Sequence, residues 1–332
     1  MMYFLLAICL VFSLLLVFNL AGSAIASLVW RVIAHRVSRL SARSREQLTF
    51  TLRAMPVVLA AVIVFVFMLP AYLLYEPRNT KEVVGAELAL AACLSIIGIG
   101  FAIFRMLRSW NATRKLTMDW LANAESITIP GVAIPTFRIS HPFPVIAVVG
   151  IFRPRLFIAS QIFDLLSEAE FDAAIAHECG HLSSYDNFKR AFLRFCGDSL
   201  MLPIGRRLER AWLDSTESAA DDHAAIAGGK KAALDLASTL IKIARVAPPT
   251  ATAAMPVGSL LVDANDREVS NRVRRLVDAA EKDGRRLLNT WTKKAFWLVP
   301  GVAFSVALIS ATNVDLLKSV HDVTENIVHM LQ

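Results

Sequence analysis

The sequence Ala174-Ile175-Ala176-His177-Glu178-Cys179-Gly180-His181 places two histidines four residues apart inside an apolar pattern of helical period. Side chains at positions i and i+4 lie on one face of a helix, about 5–6 Å apart, so both imidazoles can reach one zinc ion. Glu178 can face the same ion without binding it, which suits a general base that acts on water. Because so short a motif also recurs by chance, its meaning depends on what the rest of the chain supplies.

The segment before the motif carries its own helix-start signal. Ser167-Glu168-Ala169-Glu170 matches a capping box, in which a serine and a glutamate three residues later bond each other's backbone amides. The apolar helical pattern begins directly after it, so the helix is predicted independently of the histidines. Upstream, the β-rich runs 145–151 and 156–158 predict a hairpin. Cys179 is predicted to lie on the helix face away from the ion, as a small core residue.

A hydrolytic zinc site needs a third protein ligand in addition to two histidines. Glu217 and Asp221 are four residues apart on a predicted helix from Arg206 to Ala227, so they share one face. One carboxylate can bind the ion while the other accepts the free N–H of a ligating histidine. The alternative is a solvated acidic face near an arginine cluster. The full set of downstream candidates is Glu209, Asp214, Glu217, Asp221, Asp222 and His223.

The composition indicates a membrane protein. The chain has 332 residues, of which 55% are apolar, and its mean hydropathy of +0.51 is too high for an ordinary soluble domain. The four cysteines form no C-x-x-C pair, so we expect no disulfide framework and a reducing compartment for the part after Phe104.

Four uncharged runs are predicted to cross the bilayer, which takes about 20 apolar residues. They are Met1–Trp30, Met55–Tyr75, Leu88–Phe104 and Ala295–Val314. A secretory signal peptide is the alternative interpretation of the first run. That run lacks a charged leading segment and is too long for a signal peptide, so we interpret it as a span.

Basic residues are concentrated on one side of these runs. The segment 31–53, predicted as a loop, holds six arginines and one acid, and further basic residues follow the third run and precede the fourth. The segments 76–87 and 315–332 are poor in basic residues. Since positive flanks stay in the cytoplasm, both termini are predicted to lie outside and residues 110–294 to lie in the cytoplasm. This placement accounts for the net charge of +7 without nucleic acid as a partner.

The tail has apolar residues near helical spacing, among them Leu317, Val320 and Val323. This pattern predicts an amphipathic helix, lying either on the outer membrane face or against the spans.

In combination, these features resemble the membrane metallopeptidases of the BlaR/MecR type, the β-lactam-sensing signal transducers and their relatives. The resemblance covers about residues 1–314. It is carried by Gly150–Pro154, Ala176–His181, Asp186-Asn187 and Glu217–Asp221, and by three spans before and one after a zinc domain. The related HtpX and CaaX-protease family shares the motifs but distributes its spans differently. The transducers' extracellular penicillin-binding sensor has no counterpart in this sequence, so we expect no direct β-lactam sensing.

The resemblance implies an α-helical membrane protein with an α+β, gluzincin-like zinc metallopeptidase domain. It divides the chain into a three-span transmembrane domain (1–109), a cytoplasmic peptidase domain (110–294), a fourth transmembrane helix (295–314) and an amphipathic tail (315–332). It also implies one Zn²⁺ per chain held by His177, His181 and Glu217, with Glu178 as the catalytic base and Asp221 as the partner of a ligating histidine.

The activity implied by the resemblance is zinc-dependent hydrolysis of peptide bonds at the bacterial inner membrane. The substrate is expected to be a cytoplasmic or membrane protein, for instance a repressor cut in signalling, and the other partner is the lipid bilayer. Two alternatives are a quality-control protease and a non-catalytic sensor or scaffold that retains the metal site. A donor that stabilises a developing oxyanion is also expected, with Tyr185, His223 and Arg272 as candidates.

Overall fold

A computed structural model describes residues 2–78, 84–246, 266–281 and 313–330 of the chain. The helices are α1 (Met2–Val37), α2 (Ala42–Val62), α3 (Leu69–Tyr75), α4 (Ala86–Leu121), α5 (Ser160–Leu165), α6 (Glu168–Ser183), α7 (Asp186–Asp198), α8 (Arg206–Val246), α9 (Asp266–Glu281) and α10 (Val314–Met330). Four strands lie between α4 and α5, namely β1 (Glu125–Ile127), β2 (Thr136–Ile139), β3 (Ile146–Val149) and β4 (Arg155–Ala159). The fold is thus mostly helical, with one small mixed sheet.

Among the described residues, three helical rods are long and apolar enough to cross a membrane, which indicates a multi-pass membrane protein. Two of them are α1 and α4, each of 36 residues. The other is a 34-residue rod in which α2 continues through a π-helical segment, Ile63–Met68, into α3. These rods contain the first three predicted spans. The fourth predicted span, 295–314, falls outside the described residues except at its last two positions.

The segment 31–53, predicted as a basic loop, is almost wholly helical, so that expectation was wrong. Helix α1 continues to Val37, and α2 begins after Ser41, whose hydroxyl accepts a hydrogen bond from the Ser44 amide. The segment contains neither glycine nor proline, and it is helical on both sides of the short break at 38–41. Helix α4 likewise runs 17 residues past Phe104 to Leu121, without a break at residues 109 and 110.

The first half of α2 attaches the spans to the rest of the protein. Phe50 of α2 packs in a buried apolar cluster with Leu193 of α7 and Trp212 of α8. Beside it, the buried ammonium group of Lys189 donates to Glu46 Oε1 over 2.6 Å. A buried ion pair with this geometry is costly to separate, so the junction is specific as well as apolar.

The sheet has the strand order β1-β2-β4-β3, which leaves β3 at an edge. Strands β3 and β4 pair antiparallel with Val148 opposite Leu156, which confirms the predicted hairpin. Strand β2 pairs parallel with β4, and β1 pairs antiparallel with β2. Helix α6 packs against β3, so the edge strand lies next to the helix that carries the two histidines.

Helix α6 starts where the sequence predicts it to start. The capping box is complete: the Ser167 amide donates to Glu170 Oε2, and the Glu170 amide donates to Ser167 Oγ. Glu170 also accepts bonds from Ser238 and Lys242 of α8. Although burial opposes its charge, the bonds from Lys242, Ser238 and Ser167 lower the pKa of Glu170 to about 2. One side chain thus caps α6 and joins it to α8.

Close approach between α6 and α8 depends on small residues. A Cβ atom at Gly180 would lie 3.1 Å from the Ala220 Cα atom and 3.1 Å from the His223 Cβ atom. Glycine in α6 and alanine in α8 therefore let the two helices pack closely enough for their functional side chains to meet.

The tail forms the predicted helix and packs against the spans. Helix α10 contacts α3 and the π-helical segment. Tyr75 donates a hydrogen bond to the Val314 carbonyl and packs its ring against His321, while Leu317 is buried. The sequence left two positions open for this helix, on the outer membrane face or against the spans. In the structure it packs against the spans.

A further close approach joins the third membrane-length helix to the loop after α7. A Cβ atom at Gly98 would lie 2.2 Å from the carbonyl oxygen of Ser199, whereas one at Gly100 would meet no atom within 4 Å. We predict that Gly98→Ala lowers the thermal unfolding midpoint in detergent, because overpacking against backbone costs about 1–3 kcal/mol. Gly100→Ala is the matched control and should leave the midpoint unchanged or slightly higher. Equal midpoints for both variants would contradict this packing.

Candidate metal centre

Two histidines of α6 meet in the interior. His177 and His181 are both buried, and their Nε2 atoms lie 3.1 Å apart. The rings are nearly perpendicular, with an interplanar angle of 84°. Both Nε2 atoms therefore face one small volume, which is the arrangement that the four-residue spacing predicts.

Glu217 of α8 completes a group that can hold a metal ion. Its two carboxylate oxygens lie 3.7 Å from the Nε2 atoms of His177 and His181, respectively. One ligand atom from each of the three residues lies within 4.8 Å of the others. A tetrahedral zinc ion with ligands at 2.0–2.1 Å requires its ligand atoms to be about 3.3 Å apart. The two Nε2 atoms are 3.1 Å apart and each lies 3.7 Å from a different Glu217 oxygen, so these residues could hold a zinc ion.

Carboxylates fix the orientation of both imidazoles. His177 Nδ1 lies 3.0 Å from Asp221 Oδ1, and His181 Nδ1 lies 2.8 Å from Asp186 Oδ2. An Nδ1–H that is held by a carboxylate leaves Nε2 as the ligating atom. Asp221 thus lies where the sequence places the partner of a ligating histidine.

Asp186 was not assigned a role at the site, because Asp186-Asn187 entered only as one of the motifs that carry the resemblance. It lies five residues after His181, so a continuous helix would not return it to the same imidazole. The chain turns sharply at Tyr185, which adopts a left-handed conformation with φ of 55°, and Asp186 then begins α7. A non-glycine residue in this conformation is hard to foresee from the sequence.

Two arginines of α9 enclose the carboxylates from the other side. Arg272 donates to both oxygens of Asp221, over 3.1 and 2.7 Å, and its Nη1 atom lies 3.2 Å from Glu217 Oε2. Arg275 donates to Asp221, to Asp222 and to the Ser218 carbonyl. Helix α9 therefore supplies the positive charge that lets these acids be buried.

The candidates for an oxyanion donor lie in different places. Arg272 contacts the His-His-Glu group through Glu217. His223 packs against α6 beside Gly180, and Tyr185 is 73% exposed at the turn before α7. Of these three, Arg272 is the one whose contacts place it at the buried cluster. The other acids once considered as third ligands, Glu209, Asp214 and Asp222, are not members of the group.

Burial and charge separate the pKa values of the clustered residues. Burial lowers the pKa of His177 to about 4, whereas Glu217 and Asp186 outweigh burial and raise the pKa of His181 to about 10. Despite burial, His181 and Arg272 hold the pKa of Glu217 well below its usual range, and Arg272 and His177 do the same for Asp221. The buried carboxylates thus favour positive charge next to the imidazoles. Zn²⁺ and protons compete for the same imidazole nitrogens.

Glu178 is buried beside this group and joins it to the sheet. Its Oε2 atom accepts a hydrogen bond from the Val148 amide of β3 over 3.2 Å. Its Oε1 atom is buried and has no hydrogen-bond partner among the residues that the structure describes. Burial raises the pKa of Glu178 to about 7. A carboxylate with a free buried oxygen and a pKa near neutrality can accept and return a proton.

Asn187 also holds the edge strand at the site, which the sequence did not indicate. Its side-chain amide donates to the carbonyls of Val148 and Gly150, over 2.9 and 3.1 Å. The backbone of Val148 is thus bound on both sides, by Glu178 at its amide and by Asn187 at its carbonyl. Cys179 packs against the main apolar core, as predicted.

No protein-family model matches this chain, and a search of the curated proteins finds no match. Three membrane-length helices and a buried His-His-Glu group are nevertheless compatible with a membrane metalloprotease.

The two histidine–carboxylate contacts lead to a prediction about metal affinity. Asp186→Asn and Asp221→Asn should each weaken zinc binding by about 10–100-fold, because the imidazoles lose the acceptors that orient them. Competition with a zinc-binding dye would measure this in the purified protein. Asp222→Asn is the matched control, since Asp222 contacts Arg275 and neither imidazole. Affinities unchanged in all three variants would contradict the assigned contacts.

Proposed function

We propose that this protein is an integral-membrane zinc endopeptidase. The observation that carries the proposal is Glu178, a buried carboxylate with one unpartnered oxygen, next to a His-His-Glu group whose spacing suits zinc. The alternative of a scaffold that only retains the metal gives no reason to keep this base.

His177, His181 and Glu217 would hold the ion, and Asp186 and Asp221 would orient the histidines. When bound, zinc supplies a Lewis acid that acidifies water and polarises a substrate carbonyl. Glu178 takes the proton from the attacking water, a role that its pKa of about 7 favours. It then returns the proton to the amine that leaves when the peptide bond breaks. Arg272, already in contact with Glu217, is our candidate for stabilising negative charge on the carbonyl oxygen.

The edge strand β3 supports a peptide as the substrate. The Val148 amide and carbonyl point away from β4, towards Glu178 and Asn187. Because strand directions alternate with a period of two, the backbone of Ile146 faces the same outer edge. Because the Val148 amide and carbonyl are already bonded and β3 is buried, an extended peptide would have to pair with the backbone of Ile146 once this edge is uncovered. Such pairing positions a peptide without requiring a particular sequence.

The biological role follows from the resemblance to the BlaR/MecR-type peptidases and is part of the proposal. We propose that cleavage of a cytoplasmic or membrane protein, such as a repressor, serves signalling at the bacterial inner membrane. Membrane-protein quality control, as expected of relatives of the HtpX type, is the second candidate role. Both roles need the same site, so they differ in substrate rather than in chemistry.

We further propose four membrane spans, with both termini outside and the peptidase domain in the cytoplasm. The peptidase domain contacts the start of the second rod, at Arg43 and Glu46, whereas α10 contacts its end, at Tyr75. About 30 helical residues between these points correspond to roughly 45 Å, more than the thickness of a bilayer core. The chain therefore has to pass from one end of the bundle to the other between α9 and α10, and the uncharged run 295–314 is the segment suited to cross.

The base can be tested by Glu178→Gln. We predict that it keeps stoichiometric zinc but lowers cleavage of an unfolded protein such as β-casein by about 10²–10⁴-fold, because the proton acceptor is lost. Metal analysis and a gel-based cleavage assay on the purified full chain measure both quantities. Glu168→Gln, at an exposed carboxylate on the same helix, is the control and should cleave normally. Cleavage retained in Glu178→Gln would sink the mechanism, and zinc without any wild-type cleavage would favour the scaffold.

The membrane topology can be tested with single cysteines in a background whose four native cysteines are replaced. Ser319→Cys on α10 should react with a membrane-impermeant maleimide on intact spheroplasts, because α10 lies at the outer end of the bundle in the proposed topology. Asp164→Cys on α5 should react only after the membrane is permeabilised. Both positions are exposed in the fold, so a difference reports the side of the membrane. Labelling of both from the same side would contradict four spans.

A further inference from the structure

A large groove lies beside the third membrane-length helix, apart from the metal centre. It has a volume of about 1350 Å³ and is formed by α4, the turn between β3 and β4, and α7. The groove begins at Phe101 and Phe104, in the uncharged part of α4, and continues past Arg105 to Leu121. It therefore spans the level at which α4 passes from apolar to basic sequence.

Aromatic side chains form part of the wall at that level. The ring of Trp110 lies 5.8 Å from that of Phe152, at the tip of the β3–β4 hairpin. Both remain exposed in the fold, Trp110 by 44% and Phe152 by 76%. Tryptophan is enriched where a protein meets the boundary between hydrocarbon and headgroups. The exposed hairpin tip thus lies where an apolar side chain can enter a bilayer.

The polar part of the lining is strongly cationic. It contains seven arginines and a single acid, Asp198, which gives a net charge of +6. Asp198 is already paired with Arg105, over 3.0 Å. The hairpin supplies Arg153 and Arg155, and α4 supplies Arg108 and Arg114. So many like charges along one groove favour an anionic occupant.

We propose that this groove binds an anionic phospholipid. Its phosphate would lie among the arginines, which bind phosphate through two parallel N–H donors, and its acyl chains would lie along Phe101 and Phe104. A zwitterionic lipid has no net charge to set against Arg108, Arg114, Arg153 and Arg155. The run 295–314 of this chain contains no acid and has none either. A soluble phosphate would make no use of the apolar wall.

The position of the groove gives the lipid a contact with the edge strand. Val149, Gly150 and Ile151 line the groove, directly after Val148. A bound lipid would therefore touch the hairpin whose other end meets Glu178. The proposal itself does not depend on the metal or on peptidase activity, since it follows from the groove's walls and charge.

Trp110 makes the proposal testable in the full-length protein reconstituted in vesicles. The probes are phosphatidylglycerol and phosphatidylcholine with brominated acyl chains, which quench nearby tryptophan emission. The signal of Trp110 is the difference between wild type and Trp110→Phe. We expect brominated phosphatidylglycerol to quench this signal at several-fold lower mole fraction than brominated phosphatidylcholine. Equal quenching by the two lipids, or quenching by neither, would overturn the proposal.

Charge variants test whether the arginines cause the preference. Combining Arg108→Gln, Arg114→Gln and Arg153→Gln should weaken the preference for phosphatidylglycerol by at least about tenfold, since each basic residue near the membrane surface contributes several-fold. Arg206→Gln, Arg207→Gln and Arg210→Gln together remove three exposed charges outside the groove and should leave the preference intact. If the groove variants and the control variants lost the preference equally, the preference would depend on the net charge of the protein and not on the groove. Relief of quenching by millimolar glycerol phosphate would indicate a soluble phosphate ligand and would also overturn the proposal.

Discussion

The burial of several charged groups between α6 and α8 is the constraint on which the rest of this structure depends. His177, His181, Glu178 and Asp221 are almost completely buried, and burying unpaired charges costs several kcal/mol for each ion. The cluster persists because its charged members face opposite charges: His181 meets Asp186, and Asp221 meets arginines of α9. Glu178 instead accepts a hydrogen bond from the Val148 amide. The close approach at Gly180 makes these contacts geometrically possible, since a side chain there would separate the helices.

The same requirement explains why α9 belongs to the domain. It follows α8 only after residues 247–265, yet Arg272 and Arg275 both pair with Asp221, a side chain of α8. Without them, Asp221 would keep a single partner, the imidazole that it orients. The arginines therefore determine which carboxylate is held rigidly behind His177 and which remains at the metal group. A segment distant in sequence thus sets the geometry of a motif that looks local.

Local sequence patterns predicted the central part of the site because each rests on spacing along one helix. The capping box at Ser167, the histidines four residues apart and the Glu217–Asp221 pair all follow from helical period and are found in the structure. Asp186 could not be assigned, because its position depends on the left-handed turn at Tyr185. Arg272 was considered only as an oxyanion donor, since its pairing with Asp221 spans 51 residues.

In the membrane-proximal segments, the sequence did not predict where the helices end. Uncharged runs predicted four spans, and three of them lie in membrane-length helices of the described residues. The runs did not predict where these helices end, because arginines past the bilayer are as compatible with helix as with loop. What extends α2 and α4 is packing: Phe50 against Trp212 for α2, and Trp110 against Phe152 for α4. These contacts connect elements more than 40 residues apart, and no periodicity in the sequence reports them. The contacts that attach the domain to the membrane helices therefore could not be predicted from the sequence.

These attachments also limit where the proposed peptidase can find its substrate. Trp110 lies six residues beyond the apolar part of α4, which is about 9 Å along the helix. Phe152, packed against it, is four residues from Val148, at most about 14 Å of extended chain. Since the Val148 amide binds Glu178, the carboxylate that we propose as the base cannot lie far above the membrane surface. A substrate that adds to the edge of β3 would have to approach close to the bilayer, which favours a membrane protein or a membrane-tethered segment over one free in the cytoplasm.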